Sequence, residues 1–382
     1  MNRKACIRIS LSVVFAGLLL VQGGQKASAA GIQEFKPPQP ETAMASLEIT
    51  DMRGRSVVVP RDIKRIIALG AGSLRLLTYF DAVNSVIAVE DAGHGREKSL
   101  HGVFHLATYR IARPDLRELP SIGSEENHEA IIAAMPDIVF SSTIDAGQLD
   151  QLQDKLGVPV FAIDADVEIS DLERFHSQLR RVGQLVGEDA RAEELISGIE
   201  RLVQDLASRA ALVTEPGRAY AGGMMFYGPA DFLRTSGDYI PFDMTGTVNV
   251  MPTNPANNRQ PYMTSLEELI AANPDAVFID TANNELSRAG YRAKQELLDD
   301  QVTAFRNRAV YTTLVYKYYG TNWENQLINI YYVGKVLYPG LFADVVIEDK
   351  AAQIWRLFFG VDLDYDRVIS RHKPGLGRAD WW

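Results

Sequence analysis

The sequence predicts an α/β protein made of two Rossmann-like lobes, each on a central, mainly parallel sheet, joined by one long bridging α-helix. Three observations carry this. Short apolar strands alternate with segments of helical period, the pattern of a parallel sheet covered by helices on both faces. One phrase occurs twice, as NHEAIIAAMPDIVF at 127–140 and SLEELIAANPDAVFID at 265–280; each has a glutamate near its start, a short apolar-periodic helix, Pro-Asp and an apolar run. Between the two copies, apolar residues keep helical spacing from Ile169 to about Leu212.

The elements follow in order. Arg3, Lys4 and Arg8 precede an apolar run, Ile9 to Val21, that is shorter than the ~20 residues a membrane span needs. Ala27-Ser28-Ala29 is a small-x-small cleavage site, so residues 1–29 are expected to be a signal peptide and the product to be exported. Residues 30–46 are polar and Pro-rich, a flexible leader. LEITDMRGRSVVVP, 47–60, predicts a β-hairpin turning at Asp51–Arg55. RIIALG, SVIAVE, IVFSS and VPVFAID supply the strands of an N-terminal lobe over 47–168. The bridging helix takes 169–212, with Ser170 or Asp171 as its cap and Gly183 and Gly187 as candidate bends. RAYAGGMMF, PDAVFID and RAVYTTL are strands of a C-terminal lobe over 213–382, which closes with helices near 323–337 and 348–359 and a polar tail ending RADWW.

Composition excludes several functions. The only cysteine, Cys6, lies before the apolar run, where it cannot serve as a lipid-anchor site. Without Cys6 the mature chain has no disulfide, thiolate metal site or cysteine nucleophile. The formal charge of −10 falls by four more once Arg3, Lys4, Arg8 and Lys26 are removed, which argues against a nucleic-acid partner. Apolar residues make up 46% of the chain, enough for the cores of two domains at this length.

Enzyme motifs are sparse. RIIALGAGSLR followed by SVIAVED has most of a dinucleotide fingerprint, but Arg75 stands at the third glycine, and an exported protein meets no maintained pool of nicotinamide cofactor. There is no G-x-S-x-G, P-loop or candidate triad, so a non-enzymatic role is expected, with an exported carboxylate hydrolase as the enzymatic alternative. His94, His101 and His105 cluster, with the last two at i, i+4, but nearby glycines and the lack of HExxH or a fourth ligand leave loop or ligand-contact roles ahead of metal coordination.

TDMRGRSVVVP, RIIALG, the two repeated phrases and RVGQLVGEDARAEEL together resemble the helical-backbone (class III) periplasmic substrate-binding proteins of ABC importers for ferric siderophores, haem and vitamin B12. The likeness spans nearly all of 47–360. GGMMFYGPADFLRTSGDYIPF and YKYYGTNWENQLINIYYVGKVLYPGLF are similar to the iron-complex branch. The resemblance implies a periplasmic monomer with no resident cofactor, which captures a metal chelate between its lobes and hands it to a permease dimer. Its ligand is expected to be a ferric siderophore-type complex, with cobalamin or haem as alternatives. Such ligands are large and often anionic, so arginines and aromatic faces are the candidate contacts. By position these are Arg75, Tyr109, Arg110, Tyr227, Arg234, Tyr316, Tyr319 and Asn322, each of which is equally compatible with a structural role. The resemblance also implies that an acidic residue on each lobe docks to permease arginines: Glu129 and Glu267, with Glu126 and Glu268 as neighbouring alternatives. The same glutamates also suit the first turn of a helix, where they complement its dipole.

Overall fold

In the computed structural model the described residues are 46–90, 107–124, 127–142, 145–226, 228–254, 256, 260–315, 317 and 320–382. The expected signal peptide and nearly all of the leader lie outside them.

The chain enters through the expected hairpin, β1 (Ser46–Thr50) against β2 (Ser56–Pro60). Asp51 makes its turn: the carboxylate accepts the backbone N–H groups of Arg53 and Arg55 and the Arg55 guanidinium, all within 3.1 Å. The N-terminal lobe then runs β3 (Ile66–Leu69), α1 (Ala71–Leu77), β4 (Val86–Val89), α2 (Thr108–Ala112), α3 (His128–Ala133), β5 (Ile138–Ser141), α4 (Ala146–Leu156) and β6 (Val160–Ala162). Its sheet has the order β4-β3-β5-β6 with every pair parallel. β3 and β5 are buried on both faces, which explains why they read as unbroken apolar runs.

α5 (Leu172–Val186) and α6 (Asp189–Ala210) follow. The segment expected as one bridging helix is therefore two. Gly187 ends α5 in the left-handed region, φ 76°, which a residue with a Cβ rarely adopts. The chain then doubles back. Arg180 pairs with Glu193 at 2.7 Å and His176 faces Glu200, contacts that place α5 and α6 side by side and antiparallel. α6 is the bridging rod, about 33 Å long at 1.5 Å per residue. Near its start Arg191 donates to the carbonyls of Tyr79 (3.0 Å) and Phe358 (3.2 Å). Near its end Arg209 pairs with Asp205 and Asp344.

The C-terminal lobe comprises β7 (Arg218–Gly222), β8 (Arg234–Thr235), α7 (Ile240–Asp243), β9 (Val248–Asn249), β10 (Tyr262–Met263), α8 (Leu266–Ala272), β11 (Ala276–Asp280), α9 (Asn284–Arg292), α10 (Gln295–Gln301), α11 (Thr303–Arg306), β12 (Val310–Thr313), α12 (Trp323–Leu337), α13 (Ile347–Phe359), α14 (Tyr365–Ile369) and β13 (Gly377–Arg378). The sheet order is β10-β8-β7-β11-β12-β13, with β9 also on β7. β7, β11 and β12 are parallel, while β8 and β13 flank them antiparallel.

The repeated phrase has one structure in both lobes. Each copy is a helix, α3 or α8, that ends at a residue with positive φ just before the proline: Met135 at 48° and Asn273 at 41°. The aspartate after the proline then donates its N–H to the start of the neighbouring strand, Asp137 to the Arg65 carbonyl (2.8 Å) and Asp275 to that of Arg218 (2.9 Å). Those arginines reach back to the helix end: Arg65 donates to the carbonyls of Ala134 (2.6 Å) and Met135 (2.8 Å), and Arg218 to that of Ala272 (2.7 Å). A cation thus satisfies the last carbonyls of each helix.

The tail is packed. β13 adds to β12, and Trp381, 1% exposed, stacks near Tyr291 and Phe305 while its indole N–H donates to Asn284 Oδ1 at 2.9 Å. Trp381→Ala is expected to lower stability by about 3–5 kcal/mol, read as a fall in the urea midpoint; an unchanged midpoint would show that the tail does not close the core.

The two lobes share one continuous apolar cluster and several hydrogen-bonded crossings. Ligand is therefore expected to change the radius of gyration only slightly in solution scattering, and a large decrease would contradict a rigid bridge.

Candidate functional site

The lobes meet at the first turn of α12. This helix is buried without a break from Trp323 to Gly334, its polar Glu324, Asn325, Gln326 and Asn329 included. Its approach is pinned to the segment that leaves the N-terminal sheet. Thr321 N–H donates to the Ala165 carbonyl at 2.7 Å, the Trp323 indole to the Val167 carbonyl at 2.8 Å, and Ile169 N–H to Gln326 Oε1 at 2.9 Å. Gly320, φ +90°, permits this approach, because a Cβ there would lie 2.6 Å from both Cβ and O of Ala165.

Four of the eight candidate ligand residues converge here. Arg75, on α1 just past the carboxyl end of β3, is fully buried; its Nη1 donates to the Thr321 carbonyl at 2.9 Å and its guanidinium lies 5.6 Å from the centre of the Tyr109 ring. Tyr109 and Arg110 sit on α2 and are buried, and the preceding Thr108 hydroxyl donates to Asn325 Oδ1 at 3.0 Å. Asn322 is the N-cap residue of α12, but its side chain makes no capping bond.

Arg234 has a different place. Its Nη1 donates to the carbonyls of Phe226 and Gly228, both at 2.6 Å, so it holds a loop of the C-terminal lobe. Tyr227, Tyr316 and Tyr319 lie outside the described residues, as do Glu126 and His94, His101 and His105.

Sequence reasoning missed two members of the junction. The Tyr79 hydroxyl, from the N-terminal lobe, donates to Glu324 Oε2 at 2.5 Å. Burial pushes the Glu324 carboxyl above the usual range, against the opposing pull of Arg75 and of the Tyr79 hydrogen bond. Burial also pushes the Tyr79 and Tyr109 phenols up, so both hydroxyls keep their protons. An acid beside the helix-starting Thr-Asn pair reads as an ordinary first-turn residue; only its burial distinguishes it.

Several polar atoms of this junction are buried without a hydrogen-bond partner among the described residues: Tyr109 Oη, Thr321 Oγ1, both amide atoms of Asn322, and Glu324 Oε1. A buried polar group without a partner costs about 1–3 kcal/mol, so their clustering marks a place suited to a polar ligand. The acid that completes the dinucleotide pattern is engaged elsewhere. Glu90 Oε2 accepts the Gly70 N–H at 3.0 Å, at the turn where a dinucleotide would need the backbone free.

A concavity of about 740 Å³ lies elsewhere, between α6, α12 and α13. Its charged groups are largely paired: Arg209 with Asp205 and Asp344, Tyr331 with Asp205, and Lys350 over the Tyr331 ring at 4.7 Å. Its lining comes mainly from residues of the packed helices α6, α12 and α13.

The docking candidates are exposed. Glu129 lies in the first turn of α3 and Glu267 in the first turn of α8, at corresponding positions of the repeat. Glu268 forms a capping box with Ser265 and also accepts the Thr264 hydroxyl at 2.7 Å. Its carboxylate is thereby committed to its own helix, whereas that of Glu267 is turned to solvent.

Comparison with known proteins agrees with this architecture. No curated protein sequence matches the chain. Among solved structures, the molybdate periplasmic binding protein MolA of Haemophilus influenzae shares 18% identity, covering 83% of this chain and 99% of that one at a TM-score of 0.65. CeuE of Helicobacter pylori, solved with Ni(II) bound, shares 15% identity over 87% of this chain and 100% of that one, TM-score 0.61. The catecholate-siderophore binding protein VctP of Vibrio cholerae shares 16% over 75% of this chain and 99% of its own, TM-score 0.54. These likenesses are of fold. Residues 82–314 match the family described as periplasmic binding protein, more than half of the sequence, and the chain belongs to that family.

Proposed function

We propose that this protein is exported, captures a metal chelate, foremost a ferric siderophore-type complex, in the cleft between its lobes, and delivers it to the permease of an ABC importer. The observation that carries the proposal is the convergence of Arg75, Tyr109, Arg110 and Asn322 from two lobes on one buried polar junction. Cations and aromatic faces suit an anionic chelate. A similar catecholate-siderophore binding protein, and similar structures with nickel or molybdate bound, are consistent with a cargo built around a metal.

In this account Glu129 and Glu267 register the protein on its membrane partner. What supports them is their exposure at matched positions of a repeated helix–strand unit. Rim charges of this kind set orientation and association rate more than affinity.

The test combines binding and transport. Titration with ferric hydroxamate, catecholate and citrate complexes, cobalamin and haemin should give tight saturable binding to one ferric complex; binding of cobalamin or haemin alone would reassign the cargo within the same class. The double variant Glu129→Ala, Glu267→Ala should bind that cargo within about two-fold of wild type and lose at least about ten-fold in transport. Loss of cargo binding, or undiminished transport, would overturn the docking role.

A further inference from the structure

We propose that the floor of the cleft, at the N-terminus of α12, is an oxyanion subsite formed by Arg75, Tyr109, Thr321 and Asn322. It would accept either a free inorganic oxyanion or an acidic oxygen group carried by a larger chelate. The inference rests on the reading of this cleft as the cargo site and makes it more specific.

Two independent observations support it. α12 is a fifteen-residue helix whose N-cap, Asn322, leaves the first turn without a side-chain cap, so its end presents a partial positive charge. Around that end, the hydroxyls of Tyr109 and Thr321 and both amide atoms of Asn322 are buried without partners among the described residues, and none of these side chains is more than 1% exposed. The contacts place them together: Arg75 bonds the Thr321 carbonyl and lies over Tyr109, and Thr108 bonds Asn325 one turn into the helix. Hydroxyl and amide N–H donors beside a buried guanidinium match the oxygens of an anion.

Glu324 is the one acid in the first turn, and Tyr79 occupies one of its oxygens. Burial shifts its carboxyl toward the neutral form, which can itself donate a hydrogen bond through the unpartnered oxygen. The floor thus gathers hydroxyl and amide donors beside the Arg75 guanidinium, with Glu90 as a second acid near Tyr109.

Tyr109→Phe isolates the claim. It removes an oxygen that has no partner among the described residues, so stability should hold or rise. Calorimetry on the mature protein would use molybdate, sulfate, phosphate and citrate, ferric citrate, and a ferric hydroxamate complex lacking free acidic oxygens. The Phe variant should bind its oxyanion-bearing ligand at least about ten-fold more weakly, the order for losing one hydrogen bond to a charged group. Asn322→Ala should weaken the same ligand. Binding of the simple anions would identify the free form as cargo, and binding of ferric citrate alone would identify an acidic arm; either outcome supports the subsite. Binding of the hydroxamate complex alone, unchanged in the Phe variant, would overturn the subsite and leave the cleft's function standing. If no ligand or chelate binds, both fall.

Discussion

The rest of the molecule depends on a helix start buried between two lobes. The first turn of α12 has an N-lobe arginine on its approaching carbonyl, an N-lobe tyrosine on its glutamate and an N-lobe threonine on its asparagine. Burying a guanidinium and a carboxyl together is expensive unless each is hydrogen-bonded. The junction meets that condition only in part, because Glu324 Oε1 and the Asn322 amide lack partners among the described residues. A protein that needed only stability would fill such a seam with apolar side chains. The proposed function gives the polar seam a use in recognition.

The junction is also tied into the helices that run between the lobes. α6 runs beside α12 and α13, and its Arg191 ties it to the residue, Tyr79, that reaches Glu324. The repeated helix–Pro-Asp–strand units are anchored separately on the two sheets, each by an arginine at the start of the adjacent strand. Glu129 and Glu267 therefore sit on units braced against the two sheets.

Much of this was legible in the chain. β3, β5 and β11 announced themselves because parallel strands buried on both faces read as near-continuous apolar runs, and the span 323–337 for α12 coincides with the observed helix. The hairpin was legible from alternation around Asp51. The helix break at Gly187 was harder to read, because apolar periodicity runs through both α5 and α6 and conceals the reversal. The two-residue edge strands β8, β9 and β10 have too little sequence to carry a pattern. Arg75, Tyr109, Arg110 and Asn322 were singled out by the rule that ligands lie beyond the carboxyl ends of strands and at helix starts, and the fold brings these four to one junction. Tyr79 and Glu324 were missed because their bond spans 245 positions, and nothing local marks either residue. The commitment of Glu268 to its own helix was legible in advance, since Ser265 and Glu268 have capping-box spacing.

The central claim is that the first turn of α12 is at once the tie between the lobes and the floor of the cargo site. Hydrogen exchange with and without bound cargo tests it most directly. Protection should rise at 73–79, 107–112 and 321–327, the three segments that meet at the junction. Cargo that binds tightly while leaving these amides unchanged, and instead protects the helices around Arg201 and Gln353, would place the site in the concavity beside the rod and contradict the account.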